Sequence, residues 1–319
     1  MKGTHRIVVS NASVKYEFTI RRNITIIKGD SATGKTTLVE LINEYYESGS
    51  ESGIELQCDK TCRVLSGKDW ALILPSIKDS IVFIDEDNDF LTSTEFADAV
   101  KNSDNYYCLV TREGLPNLPY SVNEIYGIRT SGKYAGLKQS YHEFFHIYGN
   151  HVPNKKVKPK IVIVEDSNSG YEFFVGISKD KGYEVKSAYG KSNIFFKVCG
   201  ETEATVIIAD GAAFGSEMDR LMKLMSNKKN LTLLLPESFE WLILESGTLQ
   251  DGTIRKVLDE PSNYIDSKEY FSWERFFTGF LIERTNGTYL QYTKKKLNPA
   301  FLQGAVAEKI LSVIKDINL

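Results

Sequence analysis

The chain has 319 residues, of which 42% are hydrophobic and 12% aromatic, and this is enough apolar material for about two packed domains. This composition excludes a wholly disordered, collagen-like or coiled-coil chain. The 39 basic and 42 acidic residues give a formal net charge of −3, so no chain-wide basic field is present to gather nucleic acid. Few cysteines and the lack of an apolar run of ~20 residues predict a soluble, cytoplasmic protein with no membrane partner.

The N-terminal part alternates strand-like and helical segments, which is the pattern of a layered α/β domain. A helix is predicted over 35–46 because its apolar residues recur at helical spacing. We assign residues 1–148 to this domain. Its strands are predicted at 6–10, 14–20, 24–28, 54–57, 81–84 and 106–110.

The second half begins after a polar segment. Residues 149–160 contain two prolines and four lysines and are predicted to be a linker. Beyond them, strands joined by helical crossovers favour a small parallel sheet, which we assign to residues 161–260. Residues 261–319 are predicted to be a mainly helical C-terminal extension with a hairpin near Asn286. The strands of the sheet are predicted at 161–164, 184–187, 205–209 and 231–235, and helices at 171–177, 217–225, 270–277 and 302–317.

Residues 29–36 match the phosphate-binding pattern G-x-x-x-x-G-K-[ST], the P-loop, between an apolar strand and an amphipathic helix. Its glycines allow backbone N–H groups to surround phosphate oxygens, and the helix directs its positive dipole end at the same anion. Lys35 then bridges the β- and γ-phosphates, and the Thr36 hydroxyl binds magnesium. The predicted nucleotide-binding residues are Gly29, Asp30, Ser31, Ala32, Thr33, Gly34, Lys35, Thr36 and Thr37.

A second apolar strand ends in two adjacent carboxylates, Asp85 and Glu86. We expect this strand to lie next to the P-loop strand, so that Asp85 reaches the magnesium and Glu86 an attacking water. An Asp-Glu pair favours hydrolysis over phosphoryl transfer to a metabolite. We therefore predict an ATPase with Lys35 and Glu86 as catalytic residues and with ATP and Mg²⁺ as ligands.

Polar residues also follow the strand predicted at 106–110. Because ligands bind outside the carboxyl ends of strands in open α/β sheets, Thr111 or Arg112 could sense the γ-phosphate. A structural salt bridge is at least as good an interpretation of Arg112.

Two strands of the second domain also end in acids. Glu165 and Asp166 follow the first strand, and Asp210 follows the third. Carboxylates at the carboxyl ends of neighbouring parallel strands converge on one edge, where a hard cation such as magnesium is their usual partner. The alternative is that these acids cap the helices that follow them, and the sequence leaves both interpretations open.

The arrangement resembles a known pair of domains. Residues 1–133 look like a compact P-loop ATPase, residues 160–246 resemble a TOPRIM domain, and the pairing is similar to the OLD-type ATPase–nucleases of antiphage defence. TOPRIM domains carry a glutamate and an Asp-x-Asp that hold magnesium for work on nucleic acid. Glu165 and Asp210 match these metal-binding positions, but Ala212 replaces the second aspartate, so a metal would need Glu217 or Glu237.

The resemblance implies an α/β protein in which a P-loop NTPase-like domain regulates a degenerate TOPRIM-like domain, with DNA or RNA as a partner. P-loop ATPases often act as oligomers, and we expect an oligomer here. One alternative is a nucleotide-dependent switch whose TOPRIM-like domain is inactive and binds a partner protein. A small P-loop kinase is disfavoured by the paired carboxylates.

Three other motifs have structural interpretations. His142, Glu143 and His146 match H-E-x-x-H, a zinc-protease pattern on helices, but the aromatic residues between them favour a packing helix. Cys58 and Cys62 have no second pair for a zinc site and are expected to be free thiols. The lysine run 294–296 is expected to be solvated, although contact with a phosphate backbone is the functional alternative.

Overall fold

The computed structural model describes residues 1–30, 33–131, 139–149, 157–179, 181–315, 317 and 319. They form a mixed α/β fold with a large sheet, a smaller parallel sheet and helices towards the C-terminus. The chain divides into a first unit, Met1–Gly149 with Ser262–Phe271, and a second unit, Asn150–Pro261 with Ser272–Leu319. Residues 261–319 are therefore shared between the two units. Within the described ranges, every helix is too short or too polar to cross a lipid bilayer.

The described residues of the first unit contain a nine-stranded sheet with the order β4-β1-β2-β9-β8-β3-β7-β6-β5. The five strands from β8 to β5 in this order run parallel to one another, so their carboxyl ends share one edge. Antiparallel pairing joins β1 to β2, β1 to β4 and β8 to β9. The strands are β1 (His5–Ser10), β2 (Val14–Ile20), β3 (Ile24–Lys28), β4 (Glu55–Gln57), β5 (Thr61–Val64), β6 (Ser80–Ile84), β7 (Tyr106–Val110), β8 (Ile125–Thr130) and β9 (Ser140–His146).

The middle of this sheet is covered on both faces. Every residue of β3, β6 and β7 is buried, which explains why these segments are continuous apolar runs rather than alternating ones. Leu38 and Ile42 of α1 pack into the core on one face, and Phe96 of α3 packs into the core on the other. The helices of this unit are α1 (Lys35–Ser48), α2 (Trp70–Ile73) and α3 (Thr94–Lys101).

The described part of the second unit contains the small parallel sheet that the sequence predicts, with the order β11-β10-β12-β13. All three pairings are parallel. Its strands are β10 (Ile161–Val164), β11 (Glu184–Ser187), β12 (Thr205–Ile208) and β13 (Leu231–Leu234). Its helices are α4 (Ser169–Ser178), α5 (Lys191–Cys199), α6 (Met218–Asn227), α7 (Phe239–Glu245), α8 (Gly252–Asp259), α9 (Trp273–Thr285) and α10 (Gly304–Ser312).

One prediction for the C-terminal part is wrong, and another is right in kind but too long. No hairpin begins near Asn286, because α9 continues to Thr285 and the following Gly287 turns the chain with a φ of 72°. The final helix is α10, which is shorter than the predicted 302–317 and ends at Ser312.

Candidate functional site

The P-loop connects β3 to α1, and two glycines give it a shape that other residues rarely adopt. Gly29 has a φ of 148° and Gly34 a φ of 92°, both in the region that favours glycine. The hydroxyl of Tyr16 donates a hydrogen bond to the Gly34 carbonyl at 2.8 Å, and a Cβ added to Gly34 would lie 2.6 Å from the Tyr16 oxygen. Ser31 and Ala32 lie outside the described residues.

Lys35 begins α1 and turns its side chain back into this loop. The side chain is buried, and its ammonium donates hydrogen bonds to the carbonyls of Gly29 at 2.8 Å and Asp30 at 2.6 Å. A longer bond of 3.3 Å reaches the Thr33 hydroxyl. These acceptors are neutral oxygens, so the lysine keeps a positive charge inside the loop that an anion can neutralise.

Asp85 and Glu86 follow β6, but β6 is not the neighbour of the P-loop strand. The sheet order places β7 between β3 and β6, which corrects the sequence prediction that they are adjacent. Thr36 and Asp85 nevertheless both line one groove of about 660 Å³ in the first unit. A hydroxyl and a carboxylate are oxygen donors of the kind that magnesium prefers, so the chemistry of these two side chains is suited to a magnesium ion.

Glu86 is paired with Arg112, which follows β7. The guanidinium Nε lies 3.0 Å from both carboxylate oxygens of Glu86, and its Nη2 lies 2.6 Å from Oε1. The Arg112 hydrogen bonds lower the pKa of Glu86, so this carboxylate is ionised at neutral pH. The salt bridge that the sequence left open for Arg112 therefore exists, and its partner is the predicted catalytic glutamate.

The H-E-x-x-H segment is strand β9, so the predicted packing helix is wrong. β9 pairs parallel with β2 and antiparallel with β8. Four residues along a strand span about 13 Å, so His142 and His146 are too far apart to bind one zinc ion. Both are packed against aromatic rings, His142 on Tyr16 with centroids 4.6 Å apart and His146 on Tyr126 at 4.5 Å.

The second unit brings Glu165 and Asp210 together at the carboxyl edge of its sheet. β10 and β12 are parallel neighbours, and the Asp210 backbone N–H donates a hydrogen bond of 3.0 Å to Glu165 Oε2. Burial raises the pKa of Glu165 to about 7 and raises that of Asp210 well above its usual range. The edge therefore disfavours the charged form of both acids.

Asp166 has a different role from its neighbour. Its Oδ1 accepts a hydrogen bond of 3.0 Å from the backbone N–H of Tyr171, in the first turn of α4. Such contacts satisfy N–H groups that a helix leaves without partners at its start. The capping interpretation is thus confirmed for Asp166, whereas the Glu165 carboxylate contacts the end of a neighbouring strand.

Charged residues that are distant in sequence complete this edge. Lys294 Nζ lies 3.1 Å from the fully buried Glu240 carboxylate and 3.4 Å from Glu274. Tyr292 donates a hydrogen bond of 2.7 Å to the same glutamate. Lys294 is therefore ion-paired rather than solvated, whereas Lys295 and Lys296 are exposed, as the sequence predicts. The sequence offered no signal for this cluster beyond that run.

The second edge fits a magnesium ion poorly. Ala212 is apolar and buried, so the position that matches the second aspartate of the TOPRIM pattern supplies no ligand. Among the described residues, no group of three or more histidines, cysteines, aspartates or glutamates has an arrangement that could hold a metal ion.

Comparison with known proteins does not assign the chain to a family. No model of a known protein family matches the chain. No curated protein matches it at a significant level.

Proposed function

We propose that the first unit binds and hydrolyses ATP. The observation that carries the proposal is the buried Lys35 ammonium inside a glycine-shaped loop, at the edge of the parallel strands where Thr36 and Asp85 line one groove. Phosphoryl transfer from a nucleotide requires an ammonium, a hydroxyl and carboxylates at one site. Lys35, Thr36, Asp85 and Glu86 supply these groups at this edge.

Each residue has a distinct task in this proposal. Lys35 exchanges its loop carbonyls for phosphate oxygens and stabilises the charge of the transition state. Thr36 and Asp85 hold magnesium, which neutralises charge on the phosphate oxygens when it is bound. Glu86 orients the attacking water and accepts its proton.

The proposal is tested by steady-state hydrolysis of ATP with magnesium. We expect Lys35→Ala and Glu86→Gln each to lower the turnover by about 100-fold or more, because each removes charge stabilisation or general-base catalysis. Glu51→Gln, an exposed acid of the same unit that follows the end of α1 opposite the P-loop, is the control and keeps the wild-type rate. Unchanged rates in both site variants would remove the P-loop from the mechanism.

We further propose, from the resemblance and the Glu165–Asp210 contact, that ATP binding regulates a nucleic-acid-acting second unit. The test is incubation with supercoiled DNA and structured RNA, with and without ATP and Mg²⁺ or Mn²⁺. Cleavage should be lost in Glu165→Ala and Asp210→Ala, and cleavage that survives both substitutions would contradict the assignment.

A second candidate function is a nucleotide-dependent switch without nuclease activity. It is favoured by the poor fit of a metal ion at the carboxyl edge of the second sheet. There Ala212 replaces a carboxylate, and the positive charge that pairs with Glu240 comes from Lys294. This candidate predicts ATP-dependent association with another protein or copy, measured by light scattering, and no cleavage of either nucleic acid.

A further inference from the structure

Arg112 occupies a special position in the first unit. It follows β7, the strand that lies between β3, which leads to the P-loop, and β6, which leads to Glu86. Because these strands are parallel, the three carboxyl ends meet at one edge. Lys35 is near enough for its charge to act on the Glu86 carboxylate. The strand order thus places Arg112 at the same edge of the sheet as the P-loop and Glu86.

The Arg112–Glu86 pair is well formed but can be broken. Two guanidinium nitrogens contact the carboxylate, while the Arg112 side chain is 63% exposed to solvent. Exposed ion pairs contribute little net free energy. The planar guanidinium binds phosphate oxygens in the same two-pronged way as carboxylate oxygens, and a phosphate carries more negative charge than a carboxylate. A phosphate can therefore compete with Glu86 for Arg112.

The neighbouring Thr111 is less suited to this competition. Its hydroxyl donates a hydrogen bond of 2.8 Å to the Glu113 carbonyl and accepts one of 3.2 Å from the Glu113 backbone N–H. It is also buried. Thr111 therefore shapes the turn after β7, and of the two residues only Arg112 presents a charged group at this edge.

We propose that Arg112 exchanges partners, holding Glu86 in the nucleotide-free protein and binding the γ-phosphate when ATP occupies the P-loop. This inference rests on the proposed function and adds a regulatory step to it. Glu86 is released to orient water only when a γ-phosphate is present, whereas ADP leaves the ion pair intact. Arg112 therefore positions Glu86 and also distinguishes ATP from ADP.

A double-mutant cycle on nucleotide binding tests the exchange. Calorimetry with magnesium and a non-hydrolysable ATP analogue, or with ADP, is applied to the wild type, Arg112→Ala, Glu86→Gln and the double variant. We expect Arg112→Ala to weaken analogue binding by about tenfold and Glu86→Gln to strengthen it by about fivefold, since the ion pair to be broken is exposed, each with less than about a twofold effect on ADP.

The double variant separates exchange from simple repulsion between Glu86 and the phosphates. If Glu86 only repels the phosphates, Glu86→Gln strengthens analogue binding by the same factor in the wild type and in the Arg112→Ala background. If Arg112 exchanges partners, the gain is large in the wild type and small in the Arg112→Ala background, because there no arginine is released. Arg6 and Glu17, an exposed pair on β1 and β2 with contacts of 3.0 and 2.6 Å, provide a matched control cycle, which should show no effect on either nucleotide.

Two results overturn different claims. If ADP binds the wild type and the Glu86→Gln effect is the same in both backgrounds, the exchange is wrong while the nucleotide site stands. If folded wild-type protein binds neither nucleotide, the proposed function itself is wrong.

Discussion

Gly34 shows how closely the P-loop packs against Tyr16 of strand β2. The Tyr16 hydroxyl bonds the Gly34 carbonyl from a position only 2.6 Å from where a Cβ would stand. Burial of this phenol raises its pKa to about 12, so it stays protonated and remains a donor at neutral pH. The loop shape therefore depends on a residue 18 positions earlier in the chain.

We expect Gly34→Ala to weaken ADP binding by about tenfold or more, because it adds both backbone strain and a clash with Tyr16. Adding Tyr16→Phe removes the clashing oxygen and should recover part of the affinity, as calorimetry can measure. Gly53→Ala is the control, since its φ is also positive at 72° but no atom lies within 4 Å of the added Cβ. Equal affinities of Gly34→Ala with and without Tyr16→Phe would contradict this explanation.

The predictability of these residues depends on their separation along the chain. The P-loop could be predicted because its defining residues are consecutive and their neighbours are a clear strand and helix. The Arg112–Glu86 pair joins residues 26 positions apart, and its formation depends on β7 lying between β3 and β6. Sequence spacing carries no information on that strand order, so the pair appears only in the fold.

At the scale of elements, β9 explains why a motif can mislead. Residues i and i+4 share one face in a helix and also in a strand, because four is an even number of residues. The spacing of His142 and His146 therefore fits both structures. The continuous apolar runs of β3, β6 and β7 leave no such ambiguity, and the bounds that the sequence predicts for these strands agree with the structure to within one residue.

The carboxyl end of β10 gives a prediction of pH dependence. The folded protein holds the Glu165 proton more tightly than the unfolded chain, since burial raises its pKa from the ordinary 4.5 to about 7. The contribution of this proton to the free energy of unfolding is thus lost as the pH rises from about 4.5 to 7. Replacing the acid with glutamine removes the titration and keeps an acceptor for the Asp210 N–H.

We expect Glu165→Gln to gain stability relative to the wild type as the pH rises, by on the order of 2 kcal/mol between pH 4.5 and pH 8. Denaturant unfolding with a metal chelator at both pH values measures the change. Glu203→Gln, at an exposed position of the same unit, should show a much smaller change. A stability difference between Glu165→Gln and the wild type that is independent of pH would contradict the burial of this acid.

At the scale of the whole molecule, the first unit is completed by a segment from far along the chain. Ser262–Phe271 belongs to it, with the Gly3 N–H bonded to the Ser262 carbonyl at 2.8 Å and the Asn23 amide bonded to the Phe271 carbonyl at 3.0 Å. Composition and periodicity describe local segments only, and so they could not predict this return of the chain.

We expect Asn23→Ala to speed amide hydrogen exchange in residues 262–271 several-fold, because the segment loses a long-range hydrogen bond. Exchange mass spectrometry should show no change in residues 161–177 of the second unit. Asn102→Ala, which removes a local bond to Asp98, is the control and should leave 262–271 protected. Unchanged exchange of 262–271 in Asn23→Ala would show that this bond does not hold the segment.

The most direct measurement of the central claim is titration calorimetry of the full chain with ADP and magnesium, for the wild type and Lys35→Ala. The P-loop account predicts one binding event in the wild type and an affinity at least about tenfold lower in the variant, because the buried ammonium is the cation that meets the phosphates. Circular dichroism verifies that both proteins are folded. Equal affinities for the two folded proteins, or no binding to the wild type at millimolar ADP, would contradict it.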